Sequence, residues 1–539
     1  MNVLHLAGLV AVLQPAPAAD TVPLYADLGT LHHEISTRVP AAQRYFDQGL
    51  RLTYAFNHAE AIRAFREAAR LDPTCAICHW GTALAYGPNI NAAMDSASGV
   101  LAYAAMQNAE RLSDAASEKE RAYIRALSVR YAPLPPAARA ALDTAYARAM
   151  TDLARRYADD PDAATLAAEA LMDLSPWNYW TAKKQPRPDT PQMLALLDRV
   201  IATDPNHPGA CHFYIHAVEA AYPERAVACA ERLASLMPGA GHIVHMPAHI
   251  YIRVGRYADA IESNVHAVHA DETYIARERP TGLYPMGYYP HNHHFLSFAA
   301  SMAGRQAQAV ESVERLAATV DTQLMRAPGF VALQHFRMAP MFVNVRFGRW
   351  NDVLRAARPA ADLPYPSGIW HFARGMALTG QDRLEAAQTE LRELRRIATD
   401  DVLETMKPSG TNSTRSILAI AIEVLAGELA AASGRADAGI EHLRRAAALE
   451  DGLIYVEPPD WPYPVRHHLG AVLLDAGRAA EAEAVYREDL ARFPENGWSL
   501  HGLMASLRAQ GDSAGAAEAE ERLRRAWAGS DVKLTSSRF

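Results

Sequence analysis

The sequence predicts an all-α chain built as an array of helical hairpins. Three observations predict it. Glycine-led dipeptides recur between alanine-rich stretches of helical periodicity: Gly255-Arg256, Gly304-Arg305, Gly348-Arg349, Gly380-Gln381, Gly434-Arg435, Gly477-Arg478 and Gly511-Asp512. A glycine there ends one helix in a left-handed cap and lets the chain reverse. The segments after the turns look alike (RYADAIESN, RQAQAVESV, RAAEAEAVY), and Gly477 and Gly511 stand 34 residues apart. A fixed period of that length marks stacked helix pairs.

Length alone would suggest three or four domains for 539 residues, but a repeat array overrides that reading. Half the residues are hydrophobic and 21% are charged, which excludes disorder for the bulk of the chain. A net charge of -8 is dilute over this length, and the sequence has no basic stripe, so nucleic acid is not an expected partner. Beyond the first residues no apolar run approaches the ~20 that a transmembrane helix needs.

Taken in order, residues 1–18 read as a signal peptide. Val3 to Leu13 is apolar, and Ala16-Pro17-Ala18 offers a small-residue cleavage site. No Lys or Arg precedes the apolar stretch. Export to a periplasmic or extracellular location is the expectation, with a buried helix of a cytoplasmic protein as the alternative. The even count of four Cys fits an oxidising compartment without defining a disulfide scaffold. Residues 19–40 form a lead-in.

From residue 41 the repeats begin. Tyr45, Gly49, Ala61, Phe65, Ala68 and Pro73 fall in YFDQGLRLTYAFNHAEAIRAFREAARLDP. Small residues there let two antiparallel helices approach, aromatic residues fill the seam, and the proline stops the second helix. Gly470, Ala482, Tyr486 and Pro494 repeat the pattern, followed by Leu503, Ala516 and Leu523. On these residues the chain resembles the tetratricopeptide repeat (TPR) family, here of bacterial type, over roughly 41–528. The resemblance implies a right-handed superhelical solenoid of about a dozen hairpins. Three arrays are expected: 41–206 with insertions, a His-rich centre over 207–365, and 366–528, then a tail over 529–539. Three stretches depart from the period: 90–116, the Trp- and Pro-rich 175–206, and the Tyr-rich 272–290. Long segments of this kind inside a compact array are usually functional or disordered, and their Tyr and Trp favour order.

Histidine carries the chemistry. Residues 207–294 are a sixth of the chain and hold eleven of its 22 His. His242, His245 and His249 are three and four apart, so they share one helical stripe. Alignment on the Gly-Arg turns superposes His242 and His245 on His291 and His294, and His242 on His335. In the other direction His245 and His249 match His212 and His216. In the TPR family these positions face the concave groove, so the resemblance implies a groove lined by imidazoles. Neighbouring helices pack roughly 10 Å apart, close enough for such side chains to converge on an ion. His212, His216, His242, His245, His249, His291 and His294 are therefore candidate ligands for a transition metal ion: copper, zinc or iron. Glu219 lies on the same stripe as His216, and Glu169 and Asp173 share a face upstream. The competing reading is a polar groove for a peptide, protein or small-molecule ligand. His266 and His269 fall on a second helix and are expected to face outward or into the seam, and His293 breaks the stripe.

Cys75-Ala-Ile-Cys78-His79 matches the c-type haem attachment string. It opens a repeat helix and occurs once, so a Cys75–Cys78 disulfide or packed thiols compete with haem c and a monohaem electron carrier. Cys211 and Cys229 sit at ends of one hairpin that antiparallel packing brings together, as a disulfide would need. The sequence has no phosphate loop, dinucleotide fingerprint, Gly-x-Ser-x-Gly elbow or HEXXH. The expectation is a TPR protein that binds a transition metal, with enzyme activity left open. A TPR interaction scaffold is the alternative.

Overall fold

A computed structural model describes residues 22–136 and 138–539. The expected signal segment lies outside them. The all-α, TPR-like architecture expected from the sequence is the one observed: consecutive helices pack as hairpins, and no β-strand occurs among the described residues. The chain forms two units. The first runs to Ile250 and takes His266–Tyr289; the second takes Tyr251–Val265 and Pro290–Phe539. The division falls inside the His-rich stretch.

In the first unit Pro40–Tyr54 and His58–Leu71 form the opening hairpin, followed by Ala76–Ala85. Pro40 supplies the fixed φ that suits a first turn. The Asn57 side chain caps the second helix by accepting from the Glu60 amide. Phe65 fills the seam between glycines: a Cβ on Gly49 or Gly81 would come within 2.7 or 2.4 Å of its ring. The second unit repeats the device, with Gly470 and Gly502 closing on Tyr486 at 2.3 and 2.1 Å. Small residue against aromatic ring is thus the packing rule at both ends of the chain.

Six of the seven predicted turn glycines hold a positive φ. The exception is Gly380, which ends the Pro364–Gly380 helix while Asp382 takes φ 58°. Asp tolerates that region better than most residues. The predicted long insertion over 272–290 is mostly helical: Tyr257–Glu278 runs into it, and a π-turn over Tyr284–Tyr288 leads into Tyr289–Met302. His266 and His269 are exposed on the first of these helices. No helix among the described residues is long and apolar enough to cross a membrane.

Candidate metal centre

Three short helical segments carry the imidazoles of the first unit. Pro208–Val218 starts at His207, whose ring accepts from the Ala210 amide, and it presents His212 and His216 one turn apart. Glu219 follows at its C-terminal cap. Gly241–His245 and the Pro247–Arg253 helix after it carry His242, His245 and His249. Pro247 donates no backbone hydrogen bond, which accounts for the one-residue break at Met246. Gly241 is obligatory at the start: a Cβ there would lie 1.9 Å from an Asp271 carboxylate oxygen.

The five rings form one contiguous group. Ring centroids stand 4.9 Å apart for His212 and His216, 4.9 Å for His212 and His242, 5.3 Å for His216 and His249, and 4.8 Å for His245 and His249. Candidate ligand atoms of His212, His216 and His242 all lie within 4.8 Å of one another, and so do those of His216, Glu219 and His249. His216 belongs to both sets.

Hydrogen bonds fix which nitrogen faces inward. His212 Nδ1–H donates to the Tyr54 carbonyl at 2.6 Å. A carbonyl can only accept, so His212 Nε2 keeps its lone pair. That nitrogen stands 3.2 Å from His242 Nε2. His249 Nδ1 lies 2.8 Å from a Glu219 carboxylate oxygen, and its Nε2 lies 2.9 Å from His245 Nε2. Imidazoles oriented through their outer nitrogen by a carbonyl or carboxylate are the usual arrangement around a metal. Tetrahedral ligands at ~2.0–2.1 Å from an ion would be separated by about 3.3 Å, close to both Nε2–Nε2 distances. Neither His216 nitrogen makes a hydrogen bond, although Glu219 Oε1 lies 3.5 Å from its Nδ1.

Burial sets the protonation state. His212, His216 and His242 are at most 2% exposed. Desolvation first, and then the neighbouring imidazoles, hold all three well below the ordinary His range. They are neutral at pH 7, the form a metal ion takes. The rings, placed by register on a groove face, are enclosed by aromatic side chains. Phe56 packs on His212 at 4.6 Å and His242 at 5.4 Å, Trp177 on His216 at 4.8 Å, and Tyr288 on His242 at 4.7 Å. Phe56 and Trp177 both hold positive φ values, 55° and 64°, which bulky side chains rarely adopt.

The sequence reading missed Phe56 and Trp177 as site residues. An aromatic residue in the tight Ala55–Asn57 turn was the signal for the first, and the SPWNYW stretch for the second. A further potential ligand set, His33 with Asp160 and Asp162, is a hydrogen-bonded support. Asp162 accepts from the Tyr54 hydroxyl at 2.6 Å and lies 2.7 and 3.1 Å from His33 and His207. It fixes the residue whose carbonyl orients His212.

His291 and His294 belong to the second unit, on the Tyr289–Met302 helix. His291 packs on Phe295 at 4.9 Å, and His294 faces His335 at 5.6 Å. Cys75 and Cys78 are joined in a disulfide, as are Cys211 and Cys229. Both sulfurs of the haem-type string are therefore bonded to each other rather than free for thioether linkage, and His79 follows them on the same helix.

No protein-family model matches the chain, and no curated protein matches it. Solved structures similar to it include the human IFIT1 dimer with m7Gppp-AAAA, 13% identical over 91% of each chain with a TM-score of 0.32. The APC/C hetero-tetramer Cut9-Hcn1 is 14% identical over 90% of this chain and 76% of that one, with a TM-score of 0.30. The P58(IPK) TPR domain is 11% identical over 88% and 99%, with a TM-score of 0.23. Likenesses at this level carry no functional information.

Proposed function

We propose that the first unit binds a transition metal ion through His212, His216 and His242, with His249, His245 and Glu219 adjoining. The observation that supports this best is the convergence of ring nitrogens of His212, His216 and His242, with the outer nitrogen of His212 tied to the Tyr54 carbonyl and His249 set against Glu219. Five imidazoles and one carboxylate suit zinc, copper or iron. Enclosure by Phe56, Trp177 and Tyr288 favours a retained ion over one exchanging freely with solvent. The two disulfides support a protein made in an oxidising compartment.

Elemental analysis of purified protein tests the reading. About one equivalent of metal is expected, lost on exhaustive chelation and regained on reloading. His216→Ala should abolish it, because His216 serves both ligand sets, whereas exposed His266→Ala should not. Wild-type protein that neither retains nor takes up metal overturns the proposal.

A second reading has its own support. The first unit holds a cavity of about 1260 Å³ lined by Asn89–Met94, Arg139, Asp143, Arg148 and Asp173. An open, mixed-charge surface of this size fits a peptide or protein partner.

A further inference from the structure

Residues 529–539 lie along the second unit as an extended strap. The Ser513–Ala526 helix ends before Trp527, and the chain continues in turn and extended backbone. Strap side chains alternate: Asp531, Lys533 and Thr535 are exposed, whereas Val532, Leu534 and Ser536 are half-buried. A period of two is that of extended backbone with one face on a surface.

Four points hold the strap, and each meets matching chemistry. The Asp531 carboxylate oxygens accept from the Gln306 and Ala307 amides at 2.6 and 2.9 Å. These amides open the Gln306–Ala318 helix, whose N-cap residue, Arg305, supplies no side-chain cap. A carboxylate from far along the chain therefore does the capping, and the positive helix end favours its charge. Ser537 donates to the His467 carbonyl at 2.7 Å and accepts from the Tyr486 hydroxyl at 2.7 Å. Arg538 meets Glu428 and Asp475, each at 3.0 Å. Phe539 packs on Trp498 with ring centroids 5.7 Å apart, and a Cβ on Gly348 would come within 2.7 Å of it.

These anchors are mostly polar. Of the described residues 529–539, Ser537 alone is buried, and Phe539 is 38% exposed. Segments with few buried apolar contacts open at free energies well below global unfolding. The tight packing at the root of the strap belongs to Trp527 instead, whose ring would meet a Cβ on Gly304 or Gly497 at 2.2 or 2.0 Å. Release of the strap leaves that packing in place. It uncovers two helix-end amides, the His467 carbonyl, a pair of carboxylates and the Trp498 ring.

We propose that the strap is a displaceable resident of a peptide-docking surface. It opens as a unit, and the surface beneath receives an extended peptide of a protein partner that presents the same groups in the same order: a carboxylate, then a small hydroxyl, an arginine and an aromatic ring. The strap and the residues that hold it lie in the second unit, so the proposal stands apart from the metal centre and from the first-unit cavity.

The test uses the full chain, with a fluorescein-labelled peptide of residues 529–539 as the probe. Asp531→Ala with Arg538→Gln loosens the strap at two of its four points. Fluorescence anisotropy should show this variant binding the probe saturably, about tenfold or more tighter than wild type, whose own strap competes at a roughly millimolar effective concentration. A probe carrying Asp531→Ala and Phe539→Ala should bind about tenfold more weakly, having lost its cap and its ring contact. A scrambled peptide should not compete. If the double variant fails to fold, Asp531→Ala alone takes its place, with a gain of about threefold expected from loss of the cap. Folded loosened protein that does not bind the probe overturns the proposal, and the strap is then a fixed part of the fold. Equal binding by wild type and variant, or competition by the scrambled peptide, overturns it as well.

Discussion

The ring of Phe56 lies 4.6 Å from that of His212, and Phe56 reaches it from a backbone φ of 55°. A bulky residue in the left-handed region costs roughly 1–3 kcal/mol. The surrounding fold sustains that conformation in the tight turn between the first two helices, and the turn seats an aromatic lid on three imidazoles. Phe56→Ala should therefore loosen the cluster before it damages the array. Removal of metal by a chelator at pH 7.5 should accelerate at least tenfold relative to wild type. Global stability should fall by about 3 kcal/mol, the low end for truncating a buried Phe. An unchanged chelation rate would show that Phe56 is packing alone.

The Cys211–Cys229 disulfide ties the start of the His212 helix to the Val227–Leu236 helix. It closes a loop with a sequence separation of 18, worth roughly 3 kcal/mol in the chain-entropy picture. Cys211→Ala with Cys229→Ala should lower Tm by several degrees and weaken metal retention, because His212 is the next residue. The Cys75–Cys78 pair spans only three residues, so its removal should cost much less. Melting curves of the two double mutants, side by side, check the ranking.

The hairpin fold was legible because each repeat states its own rule: a turn glycine, a seam aromatic, and small residues opposite it. Phe65 between Gly49 and Gly81 follows that rule. Much of the candidate site was legible for the same reason, since register in a repeat array carries His242, His245 and His249 onto His212 and His216. Enclosure was not. Phe56 and Trp177 lie in turns, where side-chain direction depends on a positive φ that no periodicity encodes. Nor did register reveal the buried setting of Arg346, which arises from contacts far apart in sequence, among them His467 and Trp498. Trp461 and Tyr463, within the Pro-rich run EPPDWPYP at 457–464, are buried in the core of the second unit although no repeat register places them there.

The glycine clamp predicts a steep local cost. A Cβ at Gly502 would fall 2.1 Å from the Tyr486 ring, whose hydroxyl is already bonded to Ser537 at 2.7 Å. The ring cannot withdraw without breaking that bond. Gly502→Ala should destabilise by about 1–3 kcal/mol, the range for overpacking a core, despite Ala being the better helix former. Urea unfolding would check this, with Gly434→Ala as a control that meets open space but a φ of 75°. The second substitution should cost no more than about 1–2 kcal/mol, from the left-handed backbone alone.

Acid should unfold the second unit through its neutral histidines. Burial alone lowers the His335 pKa to about 4, and burial with Arg346 nearby lowers that of His467 to about 4. In the unfolded chain both return to about 6.5. Below that pH the unfolded state binds protons that the folded state refuses, so stability falls as pH drops from about 6.5 to about 4. Each such histidine contributes up to about 1.4 kcal/mol per pH unit across this window. Buried carboxyls act with the opposite sign: desolvation raises Glu450 to about 7 and Asp460 to about 6. The folded state then holds their protons more tightly than the unfolded chain does, so stability rises as pH falls through those values. The two sets oppose each other from about pH 6 down to about 4.5, where the carboxyls offset much of the histidine slope, so stability should be greatest slightly above pH 6. His335→Gln removes one titrating group, so between pH 6 and 4.5 its stability should fall less steeply than wild type by close to one proton. Equal slopes for the two proteins, measured by urea unfolding at half-unit pH steps, would mean that His335 is solvated and titrates normally in the folded state.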